Sequence, residues 1–507
     1  MTRIERFGLA AGLALAVALM IPLRGYLTDD TFIHLQYARH LAAGNGPVFN
    51  VGDRVYGCTS PLWMALIAIG IRLGLDGLLV AKAIGGIATL ASVALFFQLA
   101  RQTLRAPALR AAAVVTWGAH AWMARWSLSG METPLAVALV LAGLVAFTSS
   151  APWGARPARS GAAWALATLA RPEAALLLVL WAIVVLADRN MMPRARRLVA
   201  ALLPAALIEG SWLLFARAYY GTFLPQTLSA KAAGGAGLEA EIENARRGVL
   251  IVGSTDGVLV ALLVAALVLG ARGRSARNSA ARLLPWAWVI GVPALYLARG
   301  VPVLSRYLLP VLPVLAWLAW RQAETWWDAG RDTVRTAARV AGLGGLVAAL
   351  AVGQNVVTWA VAVQPQVTSF TRGMERSLIP LGRWLGAHAA PGALIATPDI
   401  GAIGYFSQRP VLDLGGLVTP RMLPLLERAT FEDVLARFAF ADFAHPAFVL
   451  DRAAGAGDLL RRSPCAAGLA LVDTASVPNL GIARPGRVVY TLYRVDWTRV
   501  DALLGSP

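Results

Sequence analysis

Long apolar runs, separated by short polar stretches rich in arginine, set the pattern of the first 360 or so residues. Runs near 7–23, 78–100, 108–126, 133–149, 160–171, 173–187, 197–217, 249–271, 283–299, 306–320 and 339–361 stand out. Many approach the ~20 residues that carry a helix across a bilayer core. The pattern predicts a polytopic α-helical membrane protein of about eleven spans. Two segments break the series. Asp30 to Ala43 mixes polar residues with the apolar anchors Phe32, Ile33, Leu35 and Leu41, which predicts a helix lying along the membrane interface. Ser60 to Gly74 is short for a span and reads as a second interfacial or half-embedded helix. Pro172, between two short runs, predicts a break at the outer surface.

From about 363 the long apolar runs stop, and charge, glycine and proline rise. Ala393-Leu-Ile-Ala-Thr-Pro and Arg487-Val-Val-Tyr-Thr-Leu-Tyr-Arg-Val read as strands, and Met422 to Phe440 as one or two helices. The expected organisation is a transmembrane domain over 1–362, with an outer loop over 24–77, followed by a soluble C-terminal α/β domain over 363–507.

Composition sharpens this reading. The chain is 58% hydrophobic and only 15% charged, which excludes an ordinary soluble protein. The net charge of +18 comes almost entirely from arginine, since Lys82 and Lys231 are the two lysines. Arg101, Arg105 and Arg110, then Arg156 and Arg159, Arg189 to Arg197, Arg272 to Arg277 and Arg321 to Arg335 fall between runs, as the positive-inside rule expects. The charge is therefore read as topology, with no nucleic-acid partner. Arg3 and Arg6 precede the first run, which has no small-residue cleavage site; the expectation is an uncleaved anchor with a cytoplasmic N-terminus and the C-terminal domain outside. Cys58 and Cys465 would both lie outside and are expected to be unpaired, with no metal-ligand spacing.

Ionisable residues collect on the predicted outer side. Asp29-Asp30 follows the first span, and two adjacent carboxylates next to lipid are costly enough to suggest work. Glu132, Arg171, Glu173, Lys231 and Arg306-Tyr307 lie at other outer span ends. A single outer cavity would account for them. Sugar transfer at a membrane needs a carboxylate to take the acceptor's proton and cations to hold a departing lipid phosphate. Asp29 or Asp30 suits the first task. Lys231, Arg306 and Arg171, beside Tyr307, suit the second. Plainer readings exist for each: Asp is a favoured N-cap, and Arg171 and Glu173 can pair with one another. No Gly-x-Ser-x-Gly, Walker loop or His-Glu-x-x-His occurs. Gly342-Leu-Gly-Gly sits inside an apolar run, where small residues serve helix packing.

The stretch Asp29-Asp-Thr-Phe-Ile-His-Leu-Gln-Tyr-Ala-Arg-His, with Val55-Tyr-Gly-Cys-Thr-Ser-Pro-Leu-Trp, Ser129-Gly-Met-Glu-Thr-Pro-Leu, Ala170-Arg-Pro-Glu, Arg306-Tyr-Leu-Leu-Pro, Asp399-Ile-Gly-Ala-Ile-Gly-Tyr-Phe and Asp413-Leu-Gly-Gly-Leu-Val, resembles the GT-C class of integral membrane glycosyltransferases. Within it the likeness is to the bacterial branch of terminal arabinofuranosyltransferases. That resemblance implies many spans with interfacial helices, an outer soluble domain, a polyprenyl-phosphate-linked sugar as donor and inversion at the anomeric carbon. It implies a cell-envelope glycan or glycolipid as acceptor, arabinofuranose as the sugar, and a bacterial inner membrane with the site on the periplasmic face. It also suggests Asp29 or Asp30 as base. His34, Tyr37, Glu132, Glu173 and Asp399 are expected on the substrate side. Cys58 stands where relatives often carry tyrosine. Leu224-Pro-Gln-Thr-Leu-Ser-Ala-Lys departs from the family's usual Pro-Asn-Thr-Phe-Tyr-Ala-Lys while keeping Lys231. No cofactor is expected. An Asp pair can bind a divalent cation, but Lys and Arg alone can handle a leaving phosphate, so metal independence is the expectation.

Two alternatives predict different features. A transporter or lipid-sugar flippase calls for polar residues in mid-span, where Glu209 is the main one read here and Arg125 lies at a span end. An assembly protein that binds through its outer domain leaves the Asp pair and Lys231 without a role.

Overall fold

The apolar runs do become helices. A computed structural model describes residues 1–149, 156–187, 194–226, 238–269, 280–327, 334–455, 458–478 and 486–505. The chain groups into two units. One holds Met1–Arg24, Lys82–Leu213 and Ala236–Pro365; the other holds Gly25–Ala81, Leu214–Gly235 and Gln366–Pro507. The loop after the first helix therefore belongs to the same unit as the C-terminal region.

The first unit is helical. Arg3–Met20 opens with a capping box between Thr2 and Glu5. It packs on Pro107–Gly118 through small residues: a Cβ on Gly118 would lie 2.1 Å from the Gly12 carbonyl oxygen, and one on Gly8 would lie 2.5 Å from Ala111. Close backbone approach of this kind is the usual packing device of membrane helices. Gly344, in the Gly342 stretch, serves the same end against Leu109. Among the described residues, six helices are long and apolar enough to cross a bilayer: Arg3–Leu23, Gly77–Thr103, Ala195–Tyr220, Glu239–Leu269, Ala281–Ala298 and Thr336–His388. Shorter apolar helices include Thr133–Thr148 and Pro172–Ala187. Exposed Val199, Leu203 and Leu207 give the Ala195–Tyr220 helix a large apolar surface, as expected of a multi-pass membrane protein.

Three predicted spans are not single regular helices. The 108–126 run divides into Pro107–Gly118 and Ala121–Ser127, because His120 leaves the helical path and caps the second piece. The 306–320 run divides into Ser305–Leu308 and Leu312–Trp327 around Pro310, which has no N–H to continue the ladder. The 339–361 run extends well past its predicted end, through a π turn at Trp359–Val363 into Gln364–Arg376. The break at Pro172 occurs where the proline placed it.

In the second unit, Asp29–Ala42 and Pro61–Arg72 are both helices. The former has Thr28 and Thr31 as a reciprocal cap, acids in its first turn and Arg39 in its last, which complements the helix dipole. The C-terminal region carries a five-stranded sheet of order β2-β1-β3-β5-β4, with β1 Ile395–Thr397, β2 Val411–Asp413, β3 Phe448–Ala453, β4 Leu469–Val477 and β5 Val488–Val495. β1 runs parallel to β2 and β3, while β5 is antiparallel to β3 and β4. β1 and β5 fall inside the two predicted strands, and the predicted helical stretch holds Leu423–Arg428 and Phe431–Ala436. Phe438, Phe440, Val449, Leu460 and Tyr493 pack in its core.

Candidate functional site

Asp29 and Asp30 occupy the first turn of the Asp29–Ala42 helix, with Thr28 as its N-cap. The Asp29 carboxylate accepts backbone N–H bonds from Gly401 and Ala402, each 2.8 Å. It thus caps the helix Gly401–Ser407, which follows Asp399 at the end of β1. Gly401 is obligatory here, since a Cβ would sit 2.0 Å from the Asp29 carbonyl oxygen and 2.9 Å from its carboxyl carbon. Asp30 is the next residue in the same first turn, and successive helical residues point about 100° apart. His34 lies one turn on from Asp30, buried, with Nδ1 3.9 Å from the Cys58 sulfur. Tyr37 is fully buried, and its hydroxyl donates to the Val55 carbonyl and accepts from the Gly57 N–H, both at 3.2 Å. It shapes the loop that carries Cys58. Both cysteines are free thiols.

Asp399 is held from the sheet. Arg452 on β3 donates to both of its carboxylate oxygens at 2.9 Å, and the Tyr490 hydroxyl on β5 donates at 2.6 Å. Burial, then the negative charge of Asp399, lifts the Asp29 carboxyl to about 7, against the opposing pull of the Gly401 and Ala402 N–H groups. Burial likewise pushes Asp413 up to about 6, although the Val418 and Gly415 N–H groups hold it in a turn.

The Asp29 shift makes a stability prediction. Its folded value lies above the ordinary 3.8, so the proton it retains favours the folded state. That contribution is complete below the ordinary value and is lost as pH rises toward about 7. The melting temperature of the full chain in detergent, minus that of Asp29→Asn, should shrink across this window. A difference that stays flat with pH removes the shift.

Glu132, Arg171, Glu173, Arg306 and Tyr307 belong to the first unit. Arg171, at the break before Pro172, pairs with Glu132 at 2.6 Å and Glu173 at 2.5 Å. It also donates to Thr133 at 3.3 Å and Tyr296 at 3.5 Å. Tyr307 stacks on Tyr296 with ring centroids 4.9 Å apart, and Arg171 lies 5.4 Å from the Tyr307 ring. The charge of Arg171 is thus committed to two carboxylates, the pairing that the sequence left open. Arg306 sits 5.3 Å over Tyr307 and 5.6 Å over Trp126. Lys231 lies outside the described residues.

Three features escaped the sequence reading. Arg452 and Tyr490 act on Asp399 from strands distant in the chain. Arg125, a span-end residue by sequence, is buried 5.5 Å from the same Trp126 ring that Arg306 covers. Asp256, inside the helix Leu238–Leu269, is buried with His120 at 3.1 Å, so Glu209 is not the main ionisable group within the apolar runs. The Ser254-Thr255-Asp256-Gly257 interruption of that run was the available signal.

The fold is that of the GT-C membrane glycosyltransferases. ArnT from Cupriavidus metallidurans, solved bound to undecaprenyl phosphate, aligns with a TM-score of 0.54 over 99% of both chains at 15% identity. The arabinofuranosyltransferase AftD from Mycobacteria aligns with a TM-score of 0.52 over 96% of this chain and 41% of its own, at 16% identity. In sequence, the chain is similar to the terminal beta-(1->2)-arabinofuranosyltransferase of Mycobacterium tuberculosis, 34% identical over 228 residues. That match spans 42% of this chain and 36% of the relative, so about a third of the relative's length is represented. Residues 366–500 match a family described as "Domain of unknown function (DUF8728)". The likeness to the arabinofuranosyltransferase branch expected from the Asp-Asp and associated motifs is therefore present in sequence, while the fold is shared with ArnT and AftD alike.

Proposed function

We propose that the protein is an inverting glycosyltransferase that moves a sugar, arabinofuranose, from a polyprenyl-phosphate donor to a cell-envelope glycan or glycolipid on the periplasmic face of a bacterial inner membrane. The observation that carries the reading is the tie on the first turn of this helix: Asp29 is fixed by two backbone N–H bonds, and Asp30 follows it on the same turn. The similarity to arabinofuranosyltransferases supplies the sugar, and the undecaprenyl phosphate on ArnT supplies the donor class.

In this reading Asp30 takes the proton of the acceptor hydroxyl, whose oxygen attacks the anomeric carbon. The bond from that carbon to the phosphate oxygen breaks, and the phosphate leaves with the electron pair. Attack opposite the leaving group inverts the centre. A phosphate needs charge stabilisation more than a proton, and Arg306 and Lys231 are the cations that the sequence offers for it. Asp29 fixes the start of the helix bearing Asp30. Asp399, with Arg452 and Tyr490, lies behind it, and Tyr37 holds the neighbouring loop. Arg171 organises Glu132, Glu173 and Tyr307. The reading has no metal in it, so EDTA should leave the rate unchanged.

The test is sugar transfer by the purified full chain in liposomes. A panel of polyprenyl-phosphate sugars, including the arabinofuranose form, is offered with oligosaccharide acceptors. Turnover of the arabinofuranose donor with an inverted product supports the reading. Turnover of another donor alone changes the sugar. No turnover or hydrolysis of any donor by folded protein sinks it.

A further inference from the structure

Asp256 and His120 are an unassigned pair of ionisable side chains within the apolar runs, both almost wholly buried. An aspartate inside a membrane helix is expensive, so its partners define its purpose. The His120 ring is the N-cap of the helix Ala121–Ser127: its Nδ1 accepts the Met123 N–H at 3.3 Å. That leaves the ring proton on Nε2, which donates to Asp256 Oδ2 at 3.1 Å. Thr255 donates to the same oxygen at 2.7 Å. Asn355 holds the next position, accepting the Ala121 N–H at 2.9 Å while donating to the Thr255 carbonyl at 2.7 Å. Trp122 adds a bond from its indole N–H to the Ile251 carbonyl at 3.0 Å. The start of this short helix is thus clamped by side chains and backbone from the helices Leu238–Leu269 and Val334–Thr358.

One turn further, the same helix carries Arg125 and Trp126. The Trp126 indole N–H donates to Ser305 Oγ at 3.0 Å, and Arg306 follows Ser305 in the chain. Both guanidiniums lie within 5.6 Å of the one indole ring. The position of the Trp126 ring is therefore shared by both guanidiniums, and what fixes this ring fixes its contacts with each.

We propose that His120–Asp256 is a positioning pair for the donor phosphate. By fixing the start of the helix Ala121–Ser127, it holds Arg125 and Trp126 against Arg306, and the two guanidiniums form a paired-cation seat for an isoprenoid phosphate. Arg125 is thereby added to the phosphate-binding residues. This inference rests on the proposed donor class.

The test titrates undecaprenyl phosphate into the full chain in nanodiscs and measures donor KM, acceptor KM and kcat separately. Asp256→Leu should weaken phosphate binding and raise donor KM about tenfold or more, since small misplacements of a binding group have effects of this order. Its kcat at saturating donor and its acceptor KM should stay within about twofold. Asp256→Asn keeps an oxygen for His120 and should recover most of the binding. If Asp256→Leu does not fold, His120→Asn gives the same readout, since asparagine caps a helix but is too short to reach Asp256. Wild-type binding in Asp256→Leu overturns the inference. Equal damage to all three kinetic constants overturns it as well. Arg306→Ala separates this from the donor reading: loss there with none in Asp256→Leu removes only the positioning role, whereas no binding by the wild type removes both.

Discussion

Asp30→Asn should leave the protein folded and lower sugar transfer by a factor on the order of 10²–10⁴, the usual range for a lost general base. The fold should survive because the cap of this helix is Thr28, paired with Thr31, and does not involve the Asp30 carboxylate. The negative charge removed from the first turn contributes about 0.3–1 kcal/mol through the helix dipole. Asp29→Asn should behave differently. An amide offers one acceptor oxygen where Asp29 offers two, so either the Gly401 or the Ala402 N–H loses its partner. That variant should melt lower and lose activity in step with its stability. Initial rates and melting curves on both variants separate the cases. Full activity in Asp30→Asn with loss in a stable Asp29→Asn moves the base to Asp29, whose carboxyl is raised to about 7 and would suit the task. Full activity in both ends the assignment to the pair.

The Asp pair was visible in sequence for a simple reason. Charges beside a long apolar run stand out because their cost is set by the run itself, with no knowledge of what folds against them. The same local logic located the Pro172 break and most helices. It failed where structure depends on partners distant in the chain. Asp256 lies 136 residues from His120, and Asn355 lies 234 residues from the N–H it caps. Hydropathy averaging passes over one aspartate among valines and leucines, and nothing local marks His120 as its partner. Arg452 and Tyr490 reach Asp399 from 53 and 91 residues away across adjacent antiparallel strands, a register that the sequence alone does not reveal. β2 is three residues long and too short to show an alternation. β4 is a bulged strand at the end of the sheet order, and its polar exposed positions hide it. Where a neighbour in sequence decides the conformation, reading the chain sufficed. Where a tertiary partner decides it, only the folded chain shows the choice.

Arg171→Met should cost about 3–5 kcal/mol of stability, the order observed when one partner of a buried ion pair is removed. The reason lies in what remains. Glu132 and Glu173 have side chains only 5% and 9% exposed, and each is paired with this guanidinium. Without it, two carboxylates sit together in a poorly solvated pocket and must either repel or take up protons. Arg171→Lys should lose less, because an ammonium retains the charge but cannot serve Glu132 and Glu173 through separate edges of a planar group. The triple variant Arg171→Met, Glu132→Gln, Glu173→Gln should recover most of the loss, since it removes the stranded charges along with the cation. Melting of the full chain in detergent, compared across the four proteins, measures this directly. An Arg171→Met protein that melts like the wild type would show that the two ion pairs contribute nothing to the fold. Arg171 would then return to the phosphate-binding cations from which its pairing now removes it, and its loss should appear in donor KM.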